Sequence, residues 1–122
     1  MGNKLLVVDD QPGIRLLLEE LLKADGYEII TAKTGKEACE AAVEHQPDLI
    51  LMDYRLPLMN GSEVLQFLEG KDLHQPVLVM TGLSPKSIAE NIQFSFVKEV
   101  VSKPFDIHEL RELVSKTMTA KK

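Results

Sequence analysis

An α/β fold built on a parallel sheet, doubly wound with helices on both faces, follows from three features of the sequence. Short runs of Leu, Ile and Val alternate with segments of helical period along the whole chain. The runs are apolar throughout instead of alternating with polar residues, which is the pattern of strands buried on both faces. No repeat, low-complexity stretch or linker interrupts the series, so one domain over 1–122 is expected. Five strands that each precede a helix require crossover connections, and these return the chain parallel to its previous strand.

The elements follow in order. Strands are expected at 4–8, 28–31, 49–52, 77–80 and 97–101, each short and rich in Leu, Ile or Val. Between the first two, Ile14, Leu17, Leu18, Leu21 and Leu22 recur at helical spacing and form a stripe about 140° wide, ending near Gly26. That width exceeds what contact with a sheet needs, so Ile14 and Leu17 are expected to be partly exposed. Weaker helical periodicity covers 35–46, 62–69 and 84–93. A last helix uses Ile107, Leu110, Leu113 and Val114, with Asp106 as its N-cap.

Composition narrows the function. Of 122 residues, 44% are hydrophobic and 27% charged, enough to build an ordinary core and too ordered a mixture for a disordered or fibrous chain. Fourteen Lys plus Arg against 19 Asp plus Glu leave a net charge of -5, which opposes nucleic-acid binding. The terminal pair Lys121 and Lys122 suits a solvated tail. No long apolar run marks a membrane span or secretory signal, and the single Cys39 can form neither an internal disulfide nor a zinc cluster, so a cytoplasmic location is expected. Cys39 sits among Ala38, Ala41 and Ala42, as a small core residue would. His45, His74 and His108 lack metal-ligand spacing and suit the surface.

Ligand sites in parallel sheets lie outside the carboxyl ends of the strands. Strand one runs into Asp9 and Asp10, strand three into Asp53, strand four into Thr81, and strand five leads to Ser102 and Lys103. Carboxylates gathered at about 4 to 6 Å repel by a few kcal/mol at an effective dielectric of about 20, and so call for a cation. Magnesium suits them, because it prefers oxygen ligands, accepts few carboxylates and keeps water positions open for a phosphate. Lys103 supplies a point charge for a phosphoryl oxygen and Thr81 a hydroxyl donor. Together these are the parts of a phosphoryl-transfer site. Each has a plainer explanation: Asp9 and Asp10 could cap the first helix, Thr81 is a common strand-end residue, and Lys103 suits a surface. Asp53 is harder to explain so, since a carboxylate directly after Leu49-Ile50-Leu51-Met52 is costly unless paired. Their conjunction at one edge favours a shared pocket.

These residues resemble the receiver domain of bacterial two-component response regulators, over essentially the whole chain. The resemblance rests on Val7-Val8-Asp9-Asp10 before an amphipathic helix, Pro47-Asp48-Leu49-Ile50-Leu51-Met52-Asp53, Leu56-Pro57-Leu58-Met59-Asn60-Gly61, Val79-Met80-Thr81-Gly82 and Lys103-Pro104-Phe105, in this order. Within the family, Asp9-Asp10-Gln11-Pro12-Gly13-Ile14-Arg15 and Lys103-Pro104-Phe105-Asp106-Ile107 are most similar to single-domain receivers of the sporulation phosphorelay type. The resemblance implies a flavodoxin-like sheet of order 2-1-3-4-5. It implies Asp53 as the nucleophile that accepts a phosphoryl group from a phosphohistidine, a role open to carboxylates. Mg2+ would be held by Asp10, Asp53 and the backbone carbonyl of Arg55, with Asp9 acting directly or through water. Thr81 and Lys103 would hold the phosphoryl oxygens, and the Lys103–Pro104 bond would be cis. Autodephosphorylation would accompany phosphotransfer. The partners implied are a sensor histidine kinase and a histidine phosphotransferase of helical-bundle type, met by a monomer. The wide stripe of the first helix points to the docking surface: Ile14 and Leu17, with Gln11, Gly13, Pro104 and Phe105 at the same sheet edge and Arg15 and Asp106 at the rim, the alternative being that these apolar side chains are all core.

Three departures bear on this expectation. Val100 stands where the family's aromatic switch residue usually lies, which questions coupling between Thr81 and a rotating ring. Asn60 replaces a common Asp in a loop, and Pro12 replaces a larger side chain after Gln11. Gly82 after Thr81 leaves the pocket open to large partners or water, which suits a short-lived phosphoryl state. A stand-alone effector of the chemotaxis type is the alternative within the family. A magnesium-dependent phosphatase of the haloacid dehalogenase type would need D-x-D after the first strand, where this chain has Asp9-Asp10-Gln11-Pro12. A flavin-binding flavodoxin would want phosphate donors where Asp9 and Asp10 repel, and a structural domain without chemistry leaves the edge residues unexplained.

Overall fold

A computed structural model describes residues 3–92 and 94–120, with the side chains of Asn91 and Ala120 set aside. The proposed tail of Lys121 and Lys122 lies outside these residues. Five parallel strands, β1 (Lys4–Val8), β2 (Glu28–Ala32), β3 (Leu49–Asp53), β4 (Val77–Thr81) and β5 (Val97–Ser102), form one sheet in the order β2-β1-β3-β4-β5. This is the order expected. The helices are α1 (Pro12–Ala24), α2 (Gly35–His45), α3 (Gly61–Gly70), α4 (Pro85–Asn91) and α5 (Ile107–Ala120).

The period of two along each strand divides the core in two. Leu6, Val8, Ile50, Met52, Val77 and Val79 face a layer built by α2, α3 and α4. Leu5, Val7, Leu49, Leu51, Leu78 and Met80 face α1 and α5, through Leu18, Leu22, Leu110 and Val114. Cys39 is buried in the first layer, as expected. Strands β3 and β4 are buried along their whole length, whereas β2 and β5, at the sheet's edges, are not. The uniform burial expected of all five strands therefore holds only for the inner ones.

Local chemistry sets the helix ends. Thr34 accepts a hydrogen bond from the Glu37 N–H at 3.1 Å and starts α2, while Asp106 accepts from the Glu109 N–H at 3.0 Å, the cap expected for α5. Asn60 is more than a loop residue. It closes a reciprocal capping box with Glu63, each side chain accepting from the other's backbone N–H, at 3.2 and 3.1 Å. Pro12 opens α1, where a missing N–H costs nothing. Helix α4 is shorter than expected: Ile92 is already extended, and residue 93 lies outside the described residues. Glycine 35 permits close approach of the loop after β3, since a Cβ there would stand 2.6 Å from the Met59 carbonyl oxygen.

Candidate functional site

The carboxyl edge of the sheet carries the predicted cluster. In the strand register Asp53 lies beside Met80 and Thr81 beside Ser102, while β1 ends next to Met52, so Asp9 leaves the sheet alongside Asp53. Carboxylate oxygens of Asp9, Asp10 and Asp53 lie within 4.8 Å of one another. Lys103, on the loop after β5, donates to Asp9 Oδ2 at 2.9 Å and to Asp53 Oδ2 at 3.2 Å. Its bond to Pro104 is cis, as expected.

Each acid has a different environment. Asp9 is 0% exposed and bound at every polar atom: its N–H donates to the Ala32 carbonyl at 3.1 Å, Oδ1 accepts from the Gln11 N–H at 2.9 Å, Oδ2 from Lys103, and its carbonyl from Arg15 Nη1 at 2.8 Å. Asp10 is exposed and accepts no hydrogen bond from another described residue. Neither caps α1, whose N-cap is Gln11 without a side-chain bond. Asp53 is buried, and its Oδ1 accepts a long bond from the Arg55 N–H at 3.4 Å. Burial pushes the Asp53 carboxyl above the usual carboxylate range; Asp9 adds to this, and Lys103 and the Arg55 N–H oppose it without cancelling it. For Lys103, burial alone would lower the ammonium, but the neighbouring carboxylates hold it above the usual lysine value.

A cleft of about 750 Å3 opens at this edge. Asp10, Asp53, Thr81 and Lys103 give it polar walls, and Ile14, Leu17, Leu83, Pro104, Phe105 and Ile107 an apolar rim. Thr81 is buried and its Oγ1 accepts from the Leu83 N–H at 3.0 Å, which leaves the hydroxyl proton free to donate. The cluster fits a small cation that prefers oxygen: its carboxylates converge, and exposed Asp10 keeps one side open to water.

Several expectations need correction. Of the two α1 residues expected to be exposed, Leu17 is 40% exposed. Ile14 is partly exposed, as expected, while it packs against the core beside α1 and α5, and Phe105 does the same. Gln11 and Pro104 are exposed on the cleft, whereas Gly13 is exposed but does not line it. Arg15 is not a rim residue; it turns inward to the Asp9 carbonyl. Leu83, 48% exposed on the rim, escaped the sequence reading, though an apolar residue two positions past a polar strand end was the available signal. His45, His74 and His108 are exposed, as expected.

Comparison with known proteins accords with this geometry. Residues 5–115 match the response regulator receiver domain family. The chain is 35% identical to the sporulation initiation phosphotransferase F of Bacillus subtilis over 121 residues, covering 99% of this chain and 98% of that protein. Among solved structures, the receiver domain of the Francisella response regulator 1452 superposes with a TM-score of 0.90 at 27% identity, over 98% of this chain and 99% of that one. The response regulator TrrA of Thermotoga maritima, solved in complex with Mg(2+)-BeF, superposes with a TM-score of 0.83 at 35% identity, over 94% and 98%.

Proposed function

The chain belongs to the response regulator receiver domain family, and from that premise we propose that residues 1–122 form one phosphoryl-accepting receiver, which takes a phosphoryl group from a phosphohistidine onto Asp53 and passes it on within a multi-step relay. The observation that carries this reading is the position of Asp53: a buried strand-end carboxylate facing an open cleft, with Lys103 at 3.2 Å and two further carboxylates beside it.

In the transfer, an Asp53 carboxylate oxygen attacks phosphorus and a P–O bond forms as the P–N bond breaks. The imidazole nitrogen keeps the electron pair and, with the other ring nitrogen already protonated, the ring leaves as neutral imidazole, while an acyl phosphate remains on Asp53. Asp10, Asp53 and the Arg55 carbonyl would hold Mg2+, with Asp9 direct or through water, and the ion neutralises the carboxylates and the phosphoryl oxygens when bound. Lys103 exchanges part of its contact with the carboxylates for a phosphoryl oxygen, and the free Thr81 proton serves another. Hydrolysis of the same acyl phosphate by water through the open cleft gives autodephosphorylation.

Two features favour a relay over a stand-alone effector of the chemotaxis type. Half-buried Val100 has no ring to swing toward Thr81, and Gly82 leaves space beside it in which an added Cβ would meet nothing within 4 Å. The kinase and a helical-bundle phosphotransferase would dock on the rim, through Gln11, Ile14, Leu17, Pro104 and Phe105, and on exposed Gly13 at the start of α1, a surface of the kind whose few apolar anchors carry most affinity. We assign the protein to the cytoplasm as a monomer; among the described residues no helix is long and apolar enough to cross a membrane. The relay is tested by loading the chain from a phosphorylated sensor kinase in Mg2+ and then adding a histidine phosphotransferase. Label should leave the chain for histidine within the lifetime of the acyl phosphate. Label lost only to water, with none on histidine across a panel of phosphotransferases, contradicts the relay and favours the effector.

A further inference from the structure

We infer that Arg15 is a positioning residue for the acidic pocket, holding the peptide group between Asp9 and Asp10 so that the Asp10 carboxylate meets a divalent cation. The inference rests on the reading of Asp9, Asp10 and Asp53 as the magnesium site.

The Asp9 carbonyl and the Asp10 N–H belong to one planar unit, so fixing the carbonyl fixes the direction in which the chain enters Asp10. Arg15 Nη1 supplies that bond at 2.8 Å. The other polar atoms of Asp9 are already engaged by Ala32, Gln11 and Lys103, whereas Asp10 is exposed. The carbonyl bond is thus the nearest restraint on Asp10. Arg15 also donates its own backbone N–H to the Gln11 carbonyl at 3.0 Å, the opening bond of α1, so one residue ties the helix start to the acidic loop.

The choice of acceptor argues against a chance surface arginine. Arg15 is half-buried and its guanidinium reaches the acidic loop, yet it makes no ion pair among the described residues and binds the neutral Asp9 carbonyl instead. This arrangement leaves the Asp10 carboxylate open to a cation. It also sets the sign of the test. Removing a positive charge near a cation site should tighten binding by charge alone, whereas removing a positioning bond should loosen it.

The experiment titrates Mg2+ into the 15N-labelled chain and follows the amide shifts of Asp10 and Asp53. Arg15→Met should weaken Mg2+ binding roughly tenfold, the scale on which groups that orient metal ligands act, and should move the Asp10 amide before metal is added. Arg15→Lys, which keeps a donor, should fall between. Arg15→Met with Mg2+ affinity equal to or tighter than the unaltered chain overturns the inference, even if its melting temperature falls, because that pattern describes a merely structural bond. Absence of any Mg2+-dependent shift in the unaltered chain overturns the magnesium reading itself, and the inference with it.

Discussion

At Asp53, burial and charge conflict, and the conflict has a sign. Its carboxyl titrates above the usual range, so between the unfolded pKa near 3.9 and the higher folded value the native state binds the extra proton and stability falls as pH rises. Asp53→Asn should therefore raise the melting temperature of the metal-free protein at pH 7 and flatten its decline over that window; a lower melting temperature would mean that the Lys103 pair outweighs burial. Asp10→Asn removes an exposed charge from the cluster without touching a cap. It should raise metal-free stability slightly and weaken Mg2+ binding. A clear loss of metal-free stability, followed by thermal melts, would return Asp10 to a structural role. Leu58 gives a test away from the chemistry: it is wholly exposed with φ at 67°, a conformation that costs a residue with a Cβ about 1 kcal/mol or more. Leu58→Gly should stabilise the protein by up to about 1 kcal/mol in urea unfolding, since glycine's freedom in the unfolded chain takes back part of the gain.

Helix α1 serves the core and the cleft at once, and its stripe separates into the two roles. Leu18 is fully buried, so Leu18→Ala should cost about 2 to 5 kcal/mol. Leu17→Ala should leave the melting temperature nearly unchanged while slowing phosphoryl transfer from a kinase, and Ile14→Ala, half-buried on the rim, should do some of each. If Leu17→Ala transfers at the normal rate, docking lies elsewhere. At the helix's far end the Arg111 guanidinium of α5 holds the Asp25 carboxylate, with Nε at 2.9 Å from Oδ2. The hydrogen bond from Arg111 lowers the Asp25 carboxyl below its usual value. The stability it adds is complete above pH 4 or so and is lost as pH falls through the lower folded value. Asp25→Asn should remove that portion of the acid-limb slope in pH-dependent melts. The spacing of apolar residues made α1 legible in the sequence. The shortness of α4 was not, because its period continues past the point where Ile92 turns extended.

Across the whole molecule, what the sequence shows is the position of residues along strands, and what it hides is which polar atoms meet. Apolar runs located all five strands, and their polar ends located Asp9, Asp10, Asp53, Thr81 and Lys103. The strand order came from the family resemblance, since apolar runs do not reveal their neighbours. The Arg15 bond was illegible because its acceptor is a backbone carbonyl, which every residue possesses. Bound Mg2+ should stabilise the folded chain in proportion to the logarithm of its concentration once above its Kd, an effect that Asp10→Asn should greatly reduce. The central claim, phosphorylation of Asp53, is tested most directly by loading the chain from a phosphorylated histidine kinase in Mg2+, reducing the acyl phosphate with borohydride and locating the modified residue by mass spectrometry. The account predicts reduction at Asp53 alone and no label on Asp53→Asn; full labelling of that variant, or a modified residue elsewhere in the unaltered chain, would contradict it.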